Sequence, residues 1–347
     1  MPAVDWGDAL SIFCVLLDES LRAMGVESQI VSPLVHGRMQ RVARAMHRLP
    51  RGLGEGDRIL LVHSTASPWL DQLTPPPCPT ILLYTGLTPP DLCEPHGEHL
   101  AARMRQALGE LAAMVPHLQG AICTSETAAE ELGEITGGRL QTSVVPLIID
   151  ETLYPVDEVD VDRPVGHPPR LLAVGRALPH KRLRDAMAVH ALLQRTFDPD
   201  AVLEIVGDDQ ICPEHTRWLR VESETLALTP ARWHGKVPFP DLIALYRSAD
   251  LLLFTSAHEG FGVPLLEAMW MGVPVVAVHC PGTAETLGST GLVARHRHAA
   301  GLAELAELAL TDRDLRRRLI SEGRARAGHF ARATLEGRLR DIWDRWG

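Results

Sequence analysis

An α/β fold with two doubly wound parallel sheets is predicted by three features of this sequence. The length, 347 residues, exceeds what one ordinary hydrophobic core organises. Two series of short apolar runs, most of them 20 to 30 residues apart, alternate with helical patterns, the rhythm of repeated strand–helix units. A stretch rich in acids and prolines at 150–169 separates the series and has the composition of a linker. The expected division is a first domain over 1–153, a linker over 154–169, a second domain over 170–330, and a terminal helix over 331–347 that could return to the first domain.

In the first half, strands are expected at 28–33, 58–63, 80–85, 120–125 and 142–147. A strand is also expected ahead of Gly7-Asp8, where only Met1 to Trp6 are available, so it must be very short or cut off. Asp8 suits a helix start, and a helix is expected over 8–24. In the second half, strands are expected at 171–175, 201–207, 231–237, 251–257, 273–279 and 291–295. Helices are expected at 181–195, 239–249, 265–271 and 302–310, the third stopped by Gly272 and Pro274. Two such Rossmann-like domains would face each other, with ligand at the carboxyl ends of the strands in the cleft between them.

Composition narrows the function. Apolar content of 46% and charged content of 22% are those of a globular protein. No apolar run approaches the roughly 18–20 residues of a membrane span, and Met1 to Trp6 lack a signal-peptide pattern, so a cytoplasmic protein is expected. A net charge of −10 argues against nucleic-acid binding. The six cysteines show no ligand spacing, so no metal site is expected from them. No strand is followed by G-x-G-x-x-G; Gly52-Leu-Gly-Glu-Gly56 precedes a strand, which disfavours a dehydrogenase.

The most informative stretch is His258-Glu-Gly-Phe-Gly-Val-Pro-Leu-Leu-Glu267. It follows an expected strand, so Glu259 stands at the mouth of the sheet. Gly260 and Gly262, flanking Phe261, let the backbone approach a ligand, and Pro264 suits the first residue of a helix. Loop and helix N–H groups there would suit a diphosphate. Glu267 can accept two hydroxyl hydrogen bonds, as a ribose diol requires. A second cluster, Arg176-Ala-Leu-Pro-His-Lys181, places two cations after the strand at 171–175.

The pair Glu259 and Glu267 across Gly-Phe-Gly-Val-Pro resembles the E-x7-E motif of family 4 retaining glycosyltransferases, which have the GT-B fold of two facing Rossmann-like domains. The resemblance extends over the chain after about Gly7. It implies that Glu259 contacts the donor sugar, that Glu267 contacts the ribose, and that Arg176 and Lys181 hold the donor diphosphate in place of a divalent metal. It also implies weaker donor contacts at Gly7, Gly207, Lys236 and Val237, and a place for His63 beside the donor sugar, although a strand-end histidine equally serves a structural hydrogen bond. Pro281-Gly282 stands where the family often has two glycines, and Tyr84-Thr-Gly-Leu-Thr-Pro-Pro90 is similar to a segment of bacterial polysaccharide-type members.

The implied activity is retaining, metal-independent transfer of a hexose-type sugar from a nucleoside-diphosphate sugar, UDP- or GDP-linked, to a hydroxyl of a glycan, lipid-linked or small-molecule acceptor. No cofactor is implied beyond that donor. The rival readings are a nucleotide-sugar epimerase of the same fold and a non-catalytic sugar-nucleotide-binding partner.

Two charge patterns remain. Arg38, Arg41, Arg44, Arg48 and Arg51 recur at intervals of three or four and are expected on one helix face. That stripe reads either as a solvated face or as a patch for an anionic lipid headgroup or phosphate-bearing acceptor at a membrane surface. Asp160-Val161-Asp162 is a formal D-x-D, but it lies in the linker and is read as solvated charge.

Overall fold

The computed structural model describes residues 3–346 except 68, 95–96, 157–161, 163 and 166–167. The chain forms two units. One comprises Met1–Pro90, His99–Ile148 and Arg332–Gly347; the other comprises Asp91–Glu98 and Ile149–Ala331.

The first unit contains β1 (Ala3–Val4), α1 (Ala9–Ala23), β2 (Ile30–Ser32), β3 (Leu34–Val35), β4 (Ala43–Ala45), β5 (Ile59–His63), β6 (Thr80–Tyr84), α2 (Glu98–Met114), β7 (Gly120–Cys123), α3 (Glu126–Thr136) and β8 (Thr142–Val144). The strand expected before Gly7 is the two-residue β1, parallel to β3. The sheet is divided: β1–β3, β2–β4, and a four-stranded parallel sheet in the order β5-β6-β7-β8. Asp8 caps α1, its Oδ2 accepting from the Ser11 amide at 2.9 Å. Leu82, Ala107, Leu111, Ala121 and Leu132 fill the core between this sheet and its helices.

The arginine stripe is not helical. Gly37–Arg41 is one 3₁₀ turn, and the chain then extends into β4, with Val31 opposite Arg44 and the Met46 amide donating to the Ser32 carbonyl at 2.9 Å. β2 offers the segment a ladder of backbone partners, and Pro50, Gly52 and Gly54 follow where a helix would have to continue. The five arginines are exposed, but they do not share a helix face.

The second unit is one doubly wound sheet. Its elements are β9 (Arg170–Val174), α4 (Leu183–Thr196), β10 (Val202–Val206), α5 (Pro213–Leu226), β11 (Arg232–Gly235), α6 (Phe239–Ser248), β12 (Leu251–Phe254), α7 (Val263–Trp270), β13 (Val275–Val278), α8 (Pro281–Leu287), β14 (Leu292–Ala294), α9 (Ala299–Thr311) and α10 (Arg313–Gly328). All six strands are parallel, in the order β11-β10-β9-β12-β13-β14. Helices cover both faces, so β10, β12 and β13 are buried along their whole length; β12 and β13 are unbroken apolar runs, and the one charge in β10, Glu204, is paired with Arg232 and His234. Strand order reverses between β9 and β12, which pair directly through Leu171 and Leu251. In such sheets this switch point is where the loops leave a crevice for ligand.

The terminal helix α11 (Arg332–Trp346) belongs to the first unit: Arg332 pairs with Glu19 at 2.8 Å, and the Trp346 ring lies against Gly120. In the linker, Asp160 is outside the described residues, and Asp162 pairs with Arg317 at 2.7 Å.

Candidate active site

The switch point of the second unit sets two loops side by side. One, 175–181, leaves β9; the other, 255–262, leaves β12. The Ala257 amide donates to the His180 carbonyl at 2.7 Å, and Thr255 Oγ1 donates toward the Lys181 and Arg182 carbonyls at 3.2 and 3.1 Å. Arg297 closes the end of β12 with hydrogen bonds to the Thr255 and Ser256 carbonyls, at 3.3 and 3.0 Å.

Lys181 and Glu259 meet across these loops. Lys181 Nζ lies 2.6 Å from Glu259 Oε1, with side chains 13% and 10% exposed, so both charges are largely withdrawn from water yet open to a ligand at the sheet edge. Arg176 is exposed in the turn after β9. The charges of Lys181 and Arg176 both act on the buried His180 imidazole, which burial first and those cations next hold well below its ordinary pKa. His180 is therefore neutral, and the fixed positive charge of the edge comes from its two neighbours.

The glycines explain how the loops fit. A Cβ on Gly207, just after β10, would lie 2.1 Å from the Gly175 carbonyl oxygen, so only glycine lets these two strand-end turns touch. Gly282, one residue inside α8, does the same for the Glu259 loop: a Cβ there would fall 2.4 Å from the Glu259 carbonyl oxygen. Gly282 is the residue of the Pro281-Gly282 pair that matters for packing, and Pro281 opens α8.

Helix α7 begins at Val263 with Gly262 as its N-cap, one residue earlier than Pro264 suggested. Gly260 lies at the edge of the loop. Phe261 is buried, its ring edge-on to Phe330 at 5.3 Å, so its side chain holds the loop down rather than facing a ligand. Beyond β11, Lys236 is exposed and Val237 half-buried at the same edge of the sheet.

Glu267 is held by partners from distant parts of the chain. Its carboxylate is buried, 7% exposed, and both oxygens have partners: the Tyr154 hydroxyl donates to Oε1, and the Tyr246 hydroxyl donates to Oε2 at 2.6 Å. Burial raises the Glu267 pKa, and the two hydroxyls oppose that rise. Neither tyrosine was singled out in the sequence.

In the first unit, Gly7 lies at the start of α1 with φ +92° and open space beside it. His63 ends β5 and is buried at 1% exposure, its Nε2 donating to the Ala107 carbonyl on α2 at 3.0 Å. Burial lowers its pKa, more than that carbonyl and Glu110 raise it. Nε2 thus serves a structural hydrogen bond, while Nδ1 has no hydrogen-bond partner among the described residues.

Residues 159–326 match the family model described as glycosyl transferases group 1. An Escherichia coli O-antigen chain mannosyltransferase B is 37% identical over 164 residues, 46% of this chain and 42% of that protein. A Mycobacterium tuberculosis glycogen synthase is 31% identical over 195 residues, 55% of this chain and 45% of that protein. The matched stretch thus spans less than half the length of these curated relatives. A solved glycosyltransferase structure from Rickettsia africae superposes with a TM-score of 0.69 at 15% identity, over 99% of this chain and 96% of that one. Residues 159–326 thus resemble the group 1 glycosyltransferases, and the two α/β units of the chain have the GT-B fold.

Proposed function

We propose that this protein is a retaining glycosyltransferase that moves a hexose-type sugar from a nucleoside-diphosphate sugar to an acceptor hydroxyl. The observation that carries this reading is the Lys181–Glu259 pair at the β9/β12 switch point, beside the exposed Arg176 and the start of α7. In this reading Arg176, Lys181 and the α7 N-terminus hold the donor diphosphate, Glu259 orients the sugar, and Glu267 takes the ribose hydroxyls. Gly207, Lys236 and Val237 line the nucleotide end. His63 is given no chemical step in this reading, since it is buried with its Nε2 on the Ala107 carbonyl.

In the reaction, the bond from the anomeric carbon to the β-phosphate oxygen breaks, and a bond from that carbon to the acceptor oxygen forms on the same face. The acceptor proton passes to the departing phosphate oxygen, so no separate base is needed. Negative charge gathers on the diphosphate as it leaves, and the two cations stabilise it there. Both are built into the loop after β9, so a divalent ion is not required for this role.

The test is transfer from UDP- and GDP-hexoses to short glycan and lipid-linked acceptors, with the anomeric configuration of the product read by NMR and the assay repeated in EDTA. Retention and undiminished turnover in EDTA are expected. An inverted product, or loss of activity in EDTA restored by Mn²⁺, overturns this mechanism.

A further inference from the structure

Two tyrosines from distant parts of the second unit converge on Glu267. Tyr246 comes from α6 and is fully buried; Tyr154 comes from the segment that precedes β9 and is 5% exposed. Both phenols are pushed well above their ordinary pKa by burial and by the Glu267 charge, so both are O–H donors. A carboxylate offers about four acceptor positions, two on each oxygen. Each phenol uses one, on a different oxygen.

Tyr154 is held from several sides. Its amide and that of Leu153 donate to the Asp150 carbonyl, and Asp150 Oδ1 accepts from Thr152. Its carbonyl accepts from Trp270 Nε1 at 2.9 Å, and its ring meets Phe239 edge-on at 5.0 Å. Arg247 ties the next carbonyl, of Pro155, at 2.7 Å. A side chain anchored in this way is fixed in place, not poised to swing aside.

We infer that Tyr154 and Tyr246 are positioning residues that set the plane of the Glu267 carboxylate, leaving one acceptor site on each oxygen for the two neighbouring hydroxyls of a ribose. The arrangement matches a vicinal diol: two acceptors on one rigid group, each aimed by a donor behind it. It makes the nucleotide site selective for ribonucleotides over deoxyribonucleotides, and Tyr154 contributes to that selectivity without touching the nucleotide base or the sugar. This inference rests on the assignment of Glu267 to the ribose.

The experiment is calorimetric binding of UDP, dUDP, GDP and dGDP to the whole chain and to the Tyr154→Phe, Tyr246→Phe and Glu267→Gln variants. The phenylalanines keep the rings and their packing, and thermal unfolding reports whether each variant is folded. The wild-type protein should prefer the ribonucleotide of the matching base by about tenfold or more, as expected for a hydrogen bond to a charged group. Glu267→Gln should remove most of that preference, and each Tyr→Phe variant should reduce it severalfold, weakening the ribonucleotide, which uses both carboxylate oxygens, more than the deoxyribonucleotide, which keeps only its 3′-hydroxyl. If Glu267→Gln keeps the full preference, the ribose assignment falls, and this inference with it. If Glu267→Gln loses the preference and Tyr154→Phe keeps it, only the positioning role falls. Tighter ribonucleotide binding by Tyr154→Phe would make that hydroxyl a competitor and overturns the inference, as does an equal loss for both nucleotides. Failure of all four nucleotides to bind the wild-type protein overturns both readings.

Discussion

Lys181 Nζ and Glu259 Oε1 stand 2.6 Å apart, although 78 residues separate them in the chain. The contact follows from topology: β9 and β12 pair at the point where strand order reverses, so the loops that follow them must run together. Each residue neutralises the other before a ligand arrives. A bound diphosphate would then compete with Glu259 for the lysine, and the released carboxylate could turn to the sugar hydroxyls.

This pairing predicts coupled effects on stability. Lys181→Met leaves a mostly buried carboxylate without its cation, which costs up to about 3–5 kcal/mol. Glu259→Gln in the same chain should recover much of the loss, because no charge is then left unpaired. Thermal and urea unfolding of both single variants and the double variant gives the cycle. Strictly additive losses would mean that the two charges do not act on each other.

The two glutamates should separate by ligand. Glu267→Ala should weaken nucleoside diphosphate and nucleotide-sugar alike, since both carry the ribose. Glu259→Ala should weaken the nucleotide-sugar severalfold and spare the free nucleotide, or even tighten it, because Lys181 is then free for the diphosphate. Calorimetry showing equal losses for both ligands in both variants would remove these assignments.

Much of this site was legible because its chemistry is local. The Glu259-to-Glu267 stretch carries its loop glycines, its helix start and both carboxylates within a few residues, and the strands around it are unbroken apolar runs. Contacts made by distant parts of the chain were not legible. Tyr154 lies 113 residues from Glu267 and Tyr246 lies 21 away, and neither sits in a pattern that announces a carboxylate partner. The role of Gly282 depends on α8 lying against the β12 loop, a fact of packing rather than of motif. The arginines at 38–51 misled for a related reason. Spacings of three and four suit a helix, but the same spacings fit a 3₁₀ turn followed by a strand once β2 supplies backbone partners.

Acid should destabilise the protein from near neutrality. Burial lowers the pKa of His63, His180 and His190 below the ordinary 6.5, in His190 against the opposing pull of the Ala201 carbonyl. As the pH falls through 6.5 the unfolded chain takes up protons on these rings while the folded chain resists, so the unfolded state gains. Stability should therefore decline from about pH 7 downward until the folded-state values are reached. Glu267, raised from 4.5 by burial, acts in the opposite sense, costing stability as the pH rises through its own window. Unfolding temperatures between pH 7.5 and 5.5 should fall, and His190→Gln, which keeps an N–H donor for Ala201, should flatten the decline. A pH-independent unfolding temperature over this range would mean that the three rings titrate normally.

The leaving group is where the mechanism is most exposed. Departure of a nucleoside diphosphate concentrates charge on the β-phosphate as the glycosidic bond breaks. Cations fixed beside it interact more strongly with the transition state than with the bound donor, so they act on turnover. Arg176→Ala and Lys181→Ala should each lower kcat by about 10²–10³-fold, as losses of comparable charge-stabilising groups do. The double variant should lose less than the product of the single losses, because both cations serve one diphosphate. The two variants should still differ in KM. Arg176 is exposed and makes no ion pair among the described residues, whereas removing Lys181 also leaves Glu259 as an uncompensated negative charge beside the incoming diphosphate. Lys181→Ala should therefore raise the donor KM more than Arg176→Ala, and adding Glu259→Gln should bring that KM back down without restoring kcat. Wild-type kcat in Lys181→Ala, with only KM raised, would confine the lysine to uniform binding of the donor and take away its part in the chemistry.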